Sequence, residues 1–203
     1  MATLVTPAPV AQAATPGPRR KLWTRAECEQ LQATGLWDQQ RLELIEGELI
    51  DKMGKNGPHT ASLAAIALWL RRVFGDLFVL TEAPIDVAPE DNPASEPEPD
   101  VIVLRRDFWT FTSGNPRPED LHLIVEVSDT TLAWDLVTKA GLYARAGVVE
   151  YWVLDVVARR LIVHRNASEG IYKNILIQAL NEPIAPVAAP HAEFRPADAF
   201  SSR

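Results

Sequence analysis

Hydrophobic positions recur along this chain at two different periods, and the change from one to the other marks out its elements. Leu63, Ile66, Ala67 and Leu70 return every three or four residues, the buried stripe of a helix over residues 60–74. A shorter helix is expected over residues 24–32, before a hairpin over 41–53 that turns at Glu46-Gly47. Strands are expected over 77–81, 85–88, 100–104 and 121–128, where β-branched and aliphatic residues cluster without helical spacing. Leu132 to Gly147 reads as a helix opened by Ser128-Asp129-Thr130-Thr131, a run of capping side chains, and closed by its final glycine. A strand over 151–155 then pairs with 161–165, which pairs with 171–177, and a short helix lies near 196–200. The pattern predicts an α/β protein, and no internal repeat is visible.

One position breaks the pattern. In Leu121-His122-Leu123-Ile124-Val125-Glu126-Val127-Ser128, alternation puts Leu121, Leu123, Val125 and Val127 on one face and His122, Ile124, Glu126 and Ser128 on the other. Neither face reads as solvent-facing, so the strand is expected to be buried and to take Glu126 in with it. An isolated ionised carboxylate there costs several kcal/mol or more, comparable with the whole stability of a domain, unless a cation or hydrogen-bond donors meet it.

A second carboxylate is placed in a related way. Asp100 follows Pro99 at the head of the strand Val101-Ile102-Val103-Leu104. If the two strands pair antiparallel, as strands joined without a helix do, Asp100 and Glu126 face the same spot. Two such carboxylates raise each other's pKa, and a hard divalent cation relieves the repulsion, so the pair reads as half of a Mg²⁺ site. On the following helix Asp135, Lys139 and Tyr143 recur every four residues. An exposed ion pair with a tyrosine beneath it is one reading of that stripe; a lysine leaning back over the carboxylates is the other.

The order Pro99-Asp100, Glu126-Val127-Ser128, Lys139 resembles the PD-(D/E)XK nuclease superfamily, in the variant whose lysine has moved from the glutamate strand to the next helix. More narrowly, EVSDTTLAWDLVTKAGLYARAGVVEYWVLD is similar to the signature of the Uma-two family of bacterial restriction-endonuclease-like proteins. Leu42-Glu43-Leu44-Ile45-Glu46-Gly47-Glu48 and Gly57-Pro58-His59 resemble its other blocks, and the likeness runs from about Trp23 to about Arg165. It implies a restriction-endonuclease-like mixed β-sheet core flanked by helices, with an N-terminal β-hairpin. It also implies that Asp100, Glu126 and the carbonyl of Val127 hold Mg²⁺ or Mn²⁺, and that Glu43 is the upstream acidic residue. Lys139, the lysine of the motif because Ser128 fills the parent position, would orient or deprotonate water or neutralise charge on the reacting phosphate. His59, Ser128 and Asp135 are accessory candidates, and for His59 a helix-terminal packing role stands beside a functional one.

Other features narrow the field. Cys28 is the single cysteine, so neither a disulfide nor a cysteine-based zinc site forms within the chain. His122 reads as a hydrogen-bonded core residue, and His164 and His191 lack ligand-spaced partners. No phosphate-cradling glycine motif or serine nucleophile elbow is present. Tyr151-Trp152 reads as packing rather than as a base-stacking platform. The formal charge of −7 argues against a tight DNA binder, yet residues 86–100 alone hold six acids and no base. The rest balances twenty basic against twenty-one acidic residues, with Arg71-Arg72, Arg105-Arg106 and Arg159-Arg160 available to flank a cleft. Weak, metal-assisted DNA binding is expected, by a homodimer that pairs two centres for two strands.

Residues 1–21, rich in proline and alanine, are expected to form a disordered arm unlike a secretory signal. Residues 22–180 should form the nuclease-like domain and 181–203 a proline-rich tail, in a cytoplasmic protein without a membrane span. The expected activity is Mg²⁺-dependent hydrolysis of DNA phosphodiester bonds. Two alternatives stand beside it: a nuclease-fold protein kept for interaction or regulation, and an acidic cluster that is purely structural, with Lys139 satisfying Glu126.

Overall fold

The computed structural model describes residues 20–35, 37, 40–52 and 56–200. Most of the expected arm (residues 1–19), Met53 at the end of the expected hairpin and the last three residues of the tail lie outside them. Helix α1 (Arg25–Gln32) begins at Thr24, whose side chain and that of Glu27 cap each other's backbone N–H groups. The hairpin β1 (Leu42–Ile45) and β2 (Glu48–Asp51) turns through Glu46 and Gly47, both at positive φ. A Cβ on Gly47 would stand 2.8 Å from that of Leu22, so glycine is needed there for space as well as for backbone geometry. Helix α2 (Gly57–Phe74) starts at Asn56, whose side chain accepts from His59 N, and buries the expected Leu63, Ile66, Ala67 and Leu70.

Six strands form the main sheet in chain order: β3 (Val79–Thr81), β4 (Val101–Leu104), β5 (Leu121–Ser128), β6 (Glu150–Asp155), β7 (Arg160–Ser168) and β8 (Ile171–Gln178). All neighbours are antiparallel except β5 and β6. That parallel pair needs a crossover, which helix α3 (residues 132–145) supplies. One face of the sheet packs Val101, Val103, Leu123, Val125 and Trp152 against α2; the other packs Ile102, Ile124, Tyr151 and Val153 against Ala140, Tyr143 and Ala144 of α3. Strand β5 is therefore covered on both sides, as its sequence requires.

Three expectations are corrected. Residues 85–88 form no strand: Ile85 and Val87 are buried, but the N–H groups of Ile85 and Asp86 bond to the carbonyls of Pro97 and Pro116 in loops. Pro84 and Pro89 bracket the segment and remove ladder donors. Strand β3 starts only at Val79, because residues 76–78 make a 3₁₀ turn that leaves Leu77 exposed. Helix α3 is not uniform: Asp135–Lys139 is a π-turn between α-helical ends. The expected proline-rich tail packs on the domain, since Ile184 bridges Phe194, and Phe194 and Ala199 are buried in the α2-side core. Phe194 lies 4.9 Å from Trp69 and 6.0 Å from Trp152, ring centre to ring centre, which is why proline-rich chain with few aliphatics is still held down.

Candidate active site

Strand pairing builds the site. Because β4 runs antiparallel to β5 with Val101 opposite Val125, Asp100 arrives beside Glu126 and Val127. Asp100 Oδ2 accepts the Val127 N–H at 2.8 Å, and Glu126 Oε2 faces the Asp100 N–H at 3.4 Å. The sheet thus fixes both carboxylates through backbone donors before any helix takes part.

Lys139 comes from the other side. Its ammonium lies 2.9 Å from Glu126 Oε1 and 3.0 Å from Glu43 Oε1, the latter carried in by the hairpin strand β1. The Tyr143 hydroxyl donates to the same Glu126 Oε1 at 3.0 Å. Glu43 Oε2 accepts the Glu98 N–H, and Asp135 accepts from Thr131 at 2.7 Å. Glu43, Asp100, Glu126, Asp135 and Lys139 are each at most 6% exposed. The α3 stripe is therefore not a solvated surface pair: the π-turn lies where Asp135 and Lys139 both point inward, a common position for such turns at functional sites.

Electrostatics follow from this crowding. Burial raises the Glu126 carboxyl to about 8; Lys139 opposes the rise, while Asp100, Asp135 and Glu43 add to it. Burial alone would lower Lys139, but Glu126, Glu43 and Asp135 outweigh it and raise its pKa, so the side chain stays an ammonium. Asp135 is raised by burial, against the pull of Lys139 and of hydrogen bonds from Thr131 and Ser128. Burial and the nearby Glu126 keep Tyr143 a phenol and a donor. Lys139 is in consequence suited to neutralising charge and not to taking a proton.

Glu43, Asp100, Glu126, Asp135 and Lys139 border a cavity of about 180 Å³ that is also lined by His59, Asn56, Val127, Thr131 and Trp134. His59 Nε2 is 3.6 Å from Asp100 Oδ2, too far for a hydrogen bond, and among the described residues its Nδ1 and the Trp134 Nε1 are buried without a hydrogen-bond partner. Ser128 is buried with its hydroxyl 3.4 Å from that of Thr131, behind Asp135 rather than beside the carboxylate pair. Sequence reasoning overlooked Trp134 and gave Tyr143 no function; a tyrosine four residues after the lysine on the same stripe was the available signal.

Of the three basic pairs available to flank the cleft, two lie away from it and the third is engaged by neighbours at the cleft end. Arg105 and Arg106 bond to Leu121 O and Asp120 at the opposite end of β5. Arg71 and Arg72 sit at the far end of α2, where Phe74 stacks on His122. At the cleft end Arg160 is tied to Asp155, and Arg159 lies over the Phe200 ring.

Among the described residues no three His, Cys, Asp or Glu side chains gather closely enough to cage a metal ion by themselves. The donors do suit Mg²⁺ in its usual manner, since it takes one or two carboxylates and keeps several waters. Asp100 and Glu126, with the Val127 carbonyl, would hold it.

The result is an α/β protein with a mixed sheet, a covering helix on each face and carboxylates that converge where β4 begins and β5 ends. The fold is similar to the crystal structure of "a putative nuclease belonging to DUF820" from Anabaena variabilis, with a TM-score of 0.57 and 16% identity over 78% of this chain and 89% of that one. The sequence profile of the Uma2 family, described as "Putative restriction endonuclease", matches residues 26–196, and the chain belongs to that family. No curated protein matches it.

Proposed function

We propose that this protein is a metal-dependent endonuclease that hydrolyses phosphodiester bonds of DNA, with Mg²⁺ or Mn²⁺ held by Asp100, Glu126 and the Val127 carbonyl. One observation carries the reading. Four buried carboxyl groups, Glu43, Asp100, Glu126 and Asp135, and one buried ammonium, Lys139, line one cavity among the described residues, where the part-buried Lys52 is already paired with Glu98. A divalent cation removes that excess of negative charge. When bound, it supplies Lewis-acid stabilisation and lowers the pKa of water.

The side chains divide the remaining work. Lys139, held between Glu43 and Glu126, places a positive charge where a phosphate oxygen gains negative charge. Tyr143 fixes the Glu126 carboxylate by its hydrogen bond, and Thr131 and Asp135 hold the π-turn that aims the lysine. Asp100 is kept in place by the Val127 N–H. His59 borders the same space and is an accessory group. The near-neutral body of the chain suits weak, metal-assisted DNA binding, and a homodimer in the cytoplasm is its expected working form. No helix among the described residues is long and apolar enough to cross a membrane.

Calorimetric titration with Mn²⁺ and Mg²⁺, run beside cleavage of duplex DNA, single-stranded DNA and RNA, tests the reading. Wild type should bind the ion and cut DNA only in its presence, and Asp100→Ala should do neither. Ion binding unchanged in Asp100→Ala would remove the assigned ligands, and RNA cleavage without DNA cleavage would reassign the substrate. A second reading, a non-catalytic nuclease fold with a structural ion pair, is favoured by the two donors already on Glu126 Oε1. It requires metal-free Glu126→Gln to be strongly destabilised.

A further inference from the structure

The last strand of the sheet leaves an open edge. Strand β8 pairs with β7 on one side, and among the described residues none of its backbone groups bonds to a loop on the other. Its side chains are apolar and exposed at Ile171 (54%), Ile175 (57%), Leu176 (40%) and Ile177 (59%). Ile175 and Ile177 stand opposite His164 and Ile162 of β7, whereas Leu176 stands opposite Val163, so both faces of the strand carry exposed apolar groups. Edge strands that must remain single are normally blunted by charge, proline, shortness or a covering loop. Strand β8 is eight residues long, contains no proline, and has Lys173 as its single charge.

We propose that this edge is a dimerisation surface, onto which β8 of a second copy adds antiparallel, joining the two sheets into one. Three observations select a second copy over a foreign strand. The opposite edge, β3, is three residues long, so a head-to-tail ladder of β8 on β3 would be short and would run on without closing. Pairing β8 with β8 about a two-fold axis uses the whole strand and closes at two chains. The strand is also compatible with itself. An axis through the Ile175 position sets Ile175 opposite its own copy, Lys173 opposite Ile177 and Asn174 opposite Leu176, so no charge meets its like. Finally, one lysine, already paired with Glu169, provides no charge pattern by which a charged partner would be chosen.

This pairing goes beyond the nuclease reading and does not depend on it. Strands β5 and β6 are parallel and each later neighbour reverses, so the two copies of β5 run in opposite directions. They lie seven strand spacings apart, roughly 34 Å at the usual interstrand distance. The two clefts therefore open at opposite ends of the joined sheet and act independently. Dimerisation protects the edge; it does not align two cuts on one site.

Sedimentation of the full chain at about 1 to 100 µM, with amide hydrogen exchange of β8 over the same range, tests the proposal. Wild type should shift from monomer to dimer as concentration rises, with exchange of β8 amides slowing in step. The double variant Ile175→Lys/Ile177→Lys should dissociate at least about tenfold more readily, with its circular dichroism and its divalent-ion titration unchanged. A wild-type chain that stays monomeric with concentration-independent β8 exchange overturns the proposal, as does a dimer that the folded double variant leaves intact. If the double variant does not fold, the wild-type exchange data decide alone. Loss of ion binding in both forms, with dimerisation intact, would count against the nuclease reading and leave this interface standing.

Discussion

Two glutamates stand fully enclosed on adjacent parallel strands, at opposite ends of the sheet, and they are treated differently. Glu150 opens β6. Its Oε1 accepts from the Trp152 indole and the Arg165 Nε, each at 2.8 Å, and its Oε2 accepts the Val187 N–H at 2.7 Å. One carboxylate meets one guanidinium and both oxygens are bonded. Glu126, near the end of β5, shares its ammonium with Glu43 and lies beside Asp100 on the wall of a cavity. Burial of a carboxylate is thus no mark of function in itself. What separates the two ends is whether the buried charge is matched, and only the Glu126 end carries a surplus that an added cation would cancel.

The largest expected effect is on stability. Glu150→Ala leaves the Arg165 guanidinium part-buried without its carboxylate and should cost about 3–5 kcal/mol, the scale for breaking a buried pair. Metal-free Glu126→Gln should be as stable as wild type or slightly more so near neutral pH, because burial among like charges already raises the Glu126 carboxyl to about 8 and disfavours its charged form, while abolishing cleavage. Urea unfolding of both variants in chelator measures the difference; equal losses would erase the distinction between the two ends.

Next in size is Lys139→Ala, which should lower turnover by two or more orders of magnitude, about 2.7 kcal/mol or more of transition-state stabilisation. Divalent-ion affinity should hold or rise, since a competing cation is gone. Lys139→Arg should not fully restore activity, because its forked head does not fit a space shaped by Glu43, Glu126 and Tyr143. Full activity in the alanine variant would make Lys139 as purely structural as Arg165.

Tyr143→Phe should be milder, costing about 1 kcal/mol of stability for one lost hydrogen bond to Glu126. Thermal unfolding with and without Mg²⁺ would detect it, and an effect as large as that of Glu150→Ala would show that the open end is a structural anchor too.

The smallest effect concerns pH at the closed end. His164, opposite Tyr151 on β7, has its pKa lowered by burial, against the hydrogen bond it donates to the Tyr151 backbone. Its folded pKa lies below the unfolded value of 6.5, so the unfolded chain takes up the proton first as pH falls. The stability tied to neutral His164 is fully present above 6.5 and declines below it. Unfolding midpoints at pH 7 and pH 5 should therefore differ more in wild type than in His164→Phe.

The legible part of the site was the part built by neighbours in the chain. Alternation along residues 121–128 announced that Glu126 would be buried, and the antiparallel pairing of β4 with β5 was enough to bring Asp100 beside it. Tyr143 was visible on the stripe, but its bond to Glu126 depends on a π-turn that four-residue spacing does not reveal. The segment 85–88 looked like a strand because its side chains are buried; its backbone partners, in loops near Pro97 and Pro116, decide otherwise.

Local pattern determined most of the helices and strands of this protein, the burial of Glu126 and the order Asp100, Glu126, Lys139, since period and chain neighbourhood are properties of the sequence alone. The tertiary structure decided everything that depends on distant segments meeting. It brought Glu43 from the hairpin onto Lys139, seated Phe194 between Trp69 and Trp152, and carried Arg71 and Arg105 to the end of the sheet away from the cleft. It also closed Glu150 with Arg165 and the Val187 N–H, while leaving Glu126 beside an open cavity. A buried charge is set by the residues around its strand, but its balance is set by the whole fold, because the energy of a carboxylate in a dry interior depends on every charge and donor within a few ångström.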